Sequence, residues 1–137
     1  MVIRSELDRT AILDEESVAE GYLARICFKT GPPELSGVEL EWTVHDTDEP
    51  SRPVEPDRLR VALGRYAPAT LDPAATGQPL PHRGTVTVEP GGQVEISTAP
   101  HRTLDALHRR TQADIGHLTG LLAGAGLTLG QSGLDPH

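Results

Sequence analysis

A single cysteine, Cys27, rules out an intrachain disulfide framework and a zinc cage built from thiolates. Aromatic residues are almost as scarce, with one tryptophan, two tyrosines and one phenylalanine, so any core must rest on Val, Leu, Ile and Ala. Basic residues are outnumbered: 12 Lys and Arg stand against 20 Asp and Glu, a formal charge of −8. Phosphate backbones and anionic membrane surfaces are met by Lys and Arg, so neither nucleic acid nor membrane is an expected partner. No apolar run approaches the roughly 20 residues of a membrane span. The first residues are charged (Arg4, Glu6, Asp8, Arg9) and carry no apolar signal-peptide core. With 137 residues the chain has the length of one domain, 1–137, with enough surface to bury a core. The expectation is an acidic, cytoplasmic α+β protein.

Hydrophobic periodicity supplies the elements. Val18, Tyr22 and Ile26 recur every four residues between Asp14 and Lys29, with acids at the start and Lys29 at the end, which predicts a helix closed by Gly31-Pro32-Pro33. From Gly37 to Asp46 the period is two: Val38, Leu40, Trp42 and Val44 share one face, and Glu39, Glu41, Thr43 and His45 the other. Asp57 to Tyr66 fits a short helix. Val86 and Val88, then Val94 and Ile96, alternate on either side of Pro90-Gly91-Gly92, which predicts a hairpin. A last helix spans about Thr103 to Ala125, with Leu104, Leu107, Thr111, Ile115, Leu118, Leu122 and Ala125 as its apolar stripe and Gly126 as its end. Asp105 with Arg109, and Arg110 with Asp114, read as outward i,i+4 pairs, each worth about 0.3–0.5 kcal/mol. The tail from Leu127 gives no pattern.

The chemistry concentrates on the polar faces of these strands. Glu39, Glu41, Glu89 and Glu95 all fall opposite apolar residues, and glutamate is depleted in strands. A solvated sheet face is one reading. The other follows from repulsion: carboxylates about 4 Å apart repel by roughly 4 kcal/mol at a protein-surface dielectric, and a divalent cation relieves this. Oxygen-only ligands suit Mg²⁺ or Mn²⁺ held by one or two carboxylates and substrate phosphates. The turn Glu89-Pro90-Gly91-Gly92-Gln93 reads either as a plain hairpin turn or as bare backbone beside a ligand, with Gln93 as a hydrogen-bonding arm. His101, His108 and His117 lack the spacing of a helical metal site and read as surface residues, and Cys27 as a small buried one.

Two stretches carry a resemblance to a known family. Gly37-Val38-Glu39-Leu40-Glu41-Trp42 with Val44-His45-Asp46, and Thr87-Val88-Glu89-Pro90-Gly91-Gly92-Gln93-Val94-Glu95-Ile96-Ser97 with Pro100, resemble the glutamate–cysteine ligase superfamily. The likeness runs from about Leu35 to Asp135 and is strongest to the actinobacterial branch of ergothioneine biosynthesis. It implies a partial glutamine-synthetase-like fold, an antiparallel sheet with glutamates on one face and helices on the other. It implies ATP- and Mg²⁺-dependent formation of γ-glutamylcysteine through a γ-glutamyl phosphate, with ATP as co-substrate. By the same resemblance Glu39, Glu41, Glu89 and Glu95 are catalytic metal ligands, and Gln93, Gly91, Gly92 and Ser97 contact the glutamate substrate.

Full members of that family are several-fold longer. The resemblance therefore implies the N-terminal portion of a ligase catalytic domain, one that shows little or no turnover by itself. The alternative is a non-catalytic remnant or metal-binding module that associates with a second chain, or with itself, to complete the sheet. An acidic α+β domain without a ligand is the third possibility.

Overall fold

The computed structural model describes residues 14–27, 33–70 and 75–131. The chain divides into two compact units, Met1–Pro33 and Glu34–His137. In the first, helix α1 spans Glu16–Cys27, with Glu16 in its first turn, where the helix dipole favours an acid. Cys27 is described as the last residue of this helix by its backbone alone, so the reading of it as a buried side chain lies outside what the structure describes.

The second unit holds all the strands. Strand β1 (Glu39–Trp42) is followed by β2 (Val44–Asp46), helix α2 (Pro56–Leu63) and a 3₁₀ turn (Gly64–Tyr66). Then come β3 (Thr85–Val88), β4 (Val94–Ser97), helix α3 (Leu104–Ala123) and β5 (Leu127–Leu129). Two antiparallel sheets result: three strands in the order β1-β4-β3, and the pair β2-β5.

The continuous alternation from Gly37 to Asp46 predicts one strand, and the structure divides it at Thr43. Trp42 pairs with Val94 on β4, whereas Val44 pairs with Leu129 on β5. Thr43 is buried at the changeover, and its carbonyl accepts the Gly130 N–H at 2.7 Å. Strand β5 comes from the tail that shows no pattern in the sequence. Three residues are too few to display a period, and pairing with β2 is what makes them a strand.

The hairpin forms as the sequence predicts. Gly92 N–H donates to the Glu89 carbonyl at 3.0 Å, closing a turn with Pro90 and Gly91 at its centre. Gly91 has φ +102° and Gly92 φ +86°, values that glycine reaches without the steric cost of a Cβ.

Behind the apolar face of the larger sheet sit α2 and α3. Val86, Val94 and Ile96 from the sheet meet Leu59 and Leu63 of α2, Leu118 and Leu122 of α3, and Leu127 of β5. Full burial of each such side chain contributes about 1.5–3 kcal/mol. β4 is central because its apolar residues are wholly buried and both its edges are paired. Helix α3 starts at Thr103, whose hydroxyl accepts the Ala106 N–H at 3.2 Å. Leu104, placed on the stripe by its spacing, lies in the first turn beyond the core and is exposed.

Candidate active site: a carboxylate face on the sheet

Strand register assembles the polar face. Glu39 pairs with Ser97 and Ser97 with Thr85; Glu41 pairs with Glu95 and Glu95 with Thr87. Side chains alternate along a strand, so these odd-numbered residues share one face while Leu40, Val86, Val94 and Ile96 take the other. One step beyond β3 and β4, Glu89 N–H donates to the Gln93 carbonyl at 2.9 Å, which carries both side chains onto the same face. Glu39, Glu41, Glu89, Gln93, Glu95 and Ser97 together line a shallow recess of about 540 Å³, floored by Thr85 and Thr87. Six of the eight residues singled out from the sequence therefore converge. The other two, Gly91 and Gly92, border a separate cavity that shares only Glu89 with this recess.

Glu95 is the best-anchored carboxylate. Its Oε1 accepts the Ser97 hydroxyl at 2.9 Å and the Thr87 hydroxyl at 3.3 Å. Ser97 Oγ also stands 3.5 Å from Glu39 Oε1, but its one proton belongs to the nearer Glu95. Both bonds fall on Oε1, which leaves the lone pairs of Oε2 for a further ligand. Glu41 faces Glu95 across the strands, where Cβ atoms of paired residues lie about 5 Å apart and like charges destabilise the sheet.

Among the described residues no three of His, Cys, Asp and Glu gather into a metal-binding group. The face offers opposed carboxylates in place of a closed cage. That suits Mg²⁺, which takes one or two protein carboxylates and keeps the rest of its shell for water and phosphate. The donor set, oxygen throughout, fits a hard cation. Among the histidines, His108 is exposed, whereas the His117 ring packs edge-on against Tyr66 at 5.2 Å with Nε2 buried.

Two acids outside this face anchor the unit that carries it, and sequence reasoning missed both. Asp114 reads as an outward partner of Arg110, and the structure buries it instead: Oδ1 accepts the His82 N–H at 2.8 Å and Oδ2 the Gly84 N–H at 2.9 Å. A signal exists, because Asp114 lies three residues after Thr111 and four before Leu118, on the buried stripe. Asp46 has the parity of Trp42 and Val44, which turns it inward. Its Oδ1 accepts the N–H groups of Asp48 and Glu49, and its Oδ2 the Arg58 guanidinium at 2.5 Å. Arg58 also donates to the Ala125 carbonyl at 2.8 Å and the Gly126 carbonyl at 3.2 Å, tying α2 to the end of α3. The Arg58 hydrogen bond, followed by the two backbone N–H groups, lowers the Asp46 pKa from 3.8 to about 2.

Fold and face define an α+β domain whose antiparallel sheet presents glutamates on one side and packs helices on the other. Residues 35–137 match the family described as glutamate–cysteine ligase family 2, and the chain belongs to that family. Its relatives include a glutamate–cysteine ligase EgtA of Mycobacterium tuberculosis, 33% identical over 136 residues, which cover 96% of this chain and 29% of the relative. Another is the glutamate–cysteine ligase EgtA of Mycolicibacterium smegmatis, 30% identical over 118 residues, 86% of this chain and 25% of the relative. The chain thus spans less than a third of the length of these curated relatives. No solved structure matches it. No described helix is long and apolar enough to cross a membrane.

Proposed function

We propose that this chain supplies the acidic, phosphate-handling part of a glutamate–cysteine ligase. In the reaction, an oxygen of the glutamate γ-carboxylate attacks the terminal phosphorus of ATP, giving γ-glutamyl phosphate and ADP. The cysteine amine then attacks the acyl carbon, loses a proton and expels phosphate. Ergothioneine biosynthesis is the setting that the family resemblance suggests.

Glu41 and Glu95 hold the cation, with Glu39 and Glu89 at the two ends of the row. The bound cation neutralises phosphate charge and screens the glutamates from one another. Ser97 and Thr87 fix the Glu95 carboxyl group, so that little reorganisation is needed when charge develops. Gln93, with a donor and an acceptor on one amide, orients the glutamate substrate, and Gly91 and Gly92 supply the positive-φ turn that returns the chain to Gln93. The observation that carries this reading is the register of Glu41 opposite Glu95 in a recess that also holds Glu39, Glu89 and Gln93.

The test is thermal unfolding with and without millimolar Mg²⁺ or Mn²⁺. Binding at a hundred times the dissociation constant adds about 2.7 kcal/mol of stability. The melting temperature is expected to rise in the parent and to stay flat in a Glu41→Gln, Glu95→Gln double variant. No rise in the parent, or an equal rise in both, would remove the metal role from this face.

A second reading, a module that associates with another chain, draws on the edges of the larger sheet. β1 and β3 are its outer strands, and neither has a further strand beside it among the described residues. Such edges are ready templates for pairing.

A further inference from the structure

One residue lining the carboxylate recess belongs to neither the sheet nor its hairpin. Thr76 lies in the connection between the 3₁₀ turn and β3, and it borders the same space as Glu41, Glu89 and Glu95. The next two residues fix its place. Gln78 N–H donates to the Arg65 carbonyl at 2.9 Å. Gly77 runs so close to residues 66 and 67 that a Cβ there would stand 2.4 Å from the Tyr66 carbonyl oxygen, and Tyr66 is buried. Backbone contacts thus hold this stretch against the core, while Thr76 itself is exposed.

We propose that the Thr76 hydroxyl binds an oxyanion in this recess, donating its hydrogen bond to a phosphoryl or carboxylate oxygen of the substrate. The inference rests on the reading of the acidic face as the site of carboxylate activation, and adds the donor that holds a substrate oxygen there. It follows from an inventory of protons. An oxyanion needs donors, and ionised glutamates supply acceptors only. A hydroxyl has one proton to give. Thr87 and Ser97 give theirs to Glu95 Oε1, and Thr85 gives its own to the Ser97 carbonyl at 3.4 Å. Gln93 already has a partner within the protein. Among the described residues, Thr76 carries the one hydroxyl lining the recess that has no hydrogen-bond partner. A cation on Glu41 and Glu95 offsets the charge of an anion but leaves its remaining oxygens free to turn. A hydrogen bond from a fixed donor sets their direction, and the charge of the acceptor strengthens it. A lysine or arginine in the same place would pair with the glutamates and compete with the cation, so an acidic face is best served by a neutral donor. Sequence gives no hint of this role, because Thr76 sits in a Pro- and Gly-rich connection without a period.

The test is a titration of the ¹⁵N-labelled 137-residue chain in millimolar Mg²⁺ with inorganic phosphate and, separately, with L-glutamate, followed by amide shifts. Saturable shifts at Thr76, Thr87 and Gln93 are expected with at least one of the two. Phosphate shifts assign the hydroxyl to the transferred phosphoryl group, and glutamate shifts assign it to the substrate carboxylate. Thr76→Val keeps the shape and removes the proton, and is expected to weaken that anion about tenfold, the loss of one hydrogen bond to a charged group. Thr76→Ser restores the donor and is expected to bind as the parent does. No shifts with either anion, no loss in Thr76→Val, or an equal loss in both variants would overturn the proposal. The melting temperature with and without Mg²⁺ is read on the same samples. A Mg²⁺-induced rise in parent and Thr76→Val alike, with anion binding indifferent to the valine, overturns the Thr76 assignment alone. No rise in the parent overturns the acidic-face reading; anion shifts that still depend on Thr76 then support the hydroxyl as an oxyanion donor, and their absence removes both.

Discussion

Removing the Asp114 carboxylate should loosen the whole of the larger unit, although the residue lies far along the chain from the sheet it supports. It is buried on α3, and its two oxygens are the acceptors for His82 N–H and Gly84 N–H. Those groups belong to a tight turn in which Leu80 N–H donates to the Gly84 carbonyl at 2.7 Å and Arg83 N–H to the Leu80 carbonyl at 2.8 Å. Arg83 holds φ +74° there, a conformation few non-glycine residues adopt. The turn delivers the chain into β3, and hence positions Thr85, Thr87 and Glu89. Asp114→Ala orphans both donors. An unsatisfied buried donor costs about 1–3 kcal/mol, with less for His82, whose exposed position lets water in, so the sum is about 2–4 kcal/mol. For a domain of this size that corresponds to a drop of roughly 10–25 °C in melting temperature. Asp114→Asn keeps one acceptor but turns an amide N–H₂ toward the second donor, so it should fall between parent and alanine. The assay is thermal and urea unfolding followed by circular dichroism, with Asp105→Ala as control. Asp105 pairs with Arg109 on the exposed face of the same helix, and loss of such a pair changes stability by about 0–1 kcal/mol. If Asp114→Ala cost no more than Asp105→Ala, the turn would not depend on this carboxylate and the reasoning would fail.

Asp46 makes stability acid-sensitive in a defined window. Its folded pKa of about 2 lies below the ordinary 3.8, so its contribution is complete above pH 4 and disappears as pH falls from about 4 to 2. Unfolding of the parent and Asp46→Asn at pH 6, 3 and 2 should show a gap in melting temperature that closes by pH 2; a constant gap would contradict the assignment. At Gly77 a Cβ would overlap the carbonyl oxygens of Tyr66 and Ala67, so Gly77→Ala should cost about 1–3 kcal/mol. Gly116→Ala, in open space on α3, should instead stabilise by about 0.5–1 kcal/mol, and urea midpoints of the two variants read the contrast directly.

The sequence alone determined everything that depends on local period and turn chemistry. Helix α3 follows from apolar residues three and four apart, and the hairpin from two alternating segments around Pro90-Gly91-Gly92. Alternation also placed Glu39, Glu41, Glu89 and Glu95 opposite the apolar residues, since the Cβ atoms of successive strand residues point to opposite faces whatever the partner strand is. Tertiary structure decided which strands meet. Nothing between Gly37 and Asp46 marks Thr43 as the point where pairing passes from β4 to β5, because the two partners lie more than thirty residues apart from each other and farther still from β1. Local sequence also misassigned Asp114, whose i,i+4 neighbour Arg110 suggested a surface pair. A buried carboxylate is tolerated only where donors satisfy it, and those donors, His82 and Gly84, are supplied by a turn thirty residues away. The same holds for Asp46 with Arg58, and for the cavity beside Glu89, whose walls come from three separate segments. Period is written into consecutive residues, whereas the compensation of a buried charge and the shape of a cavity exist only once distant segments have packed.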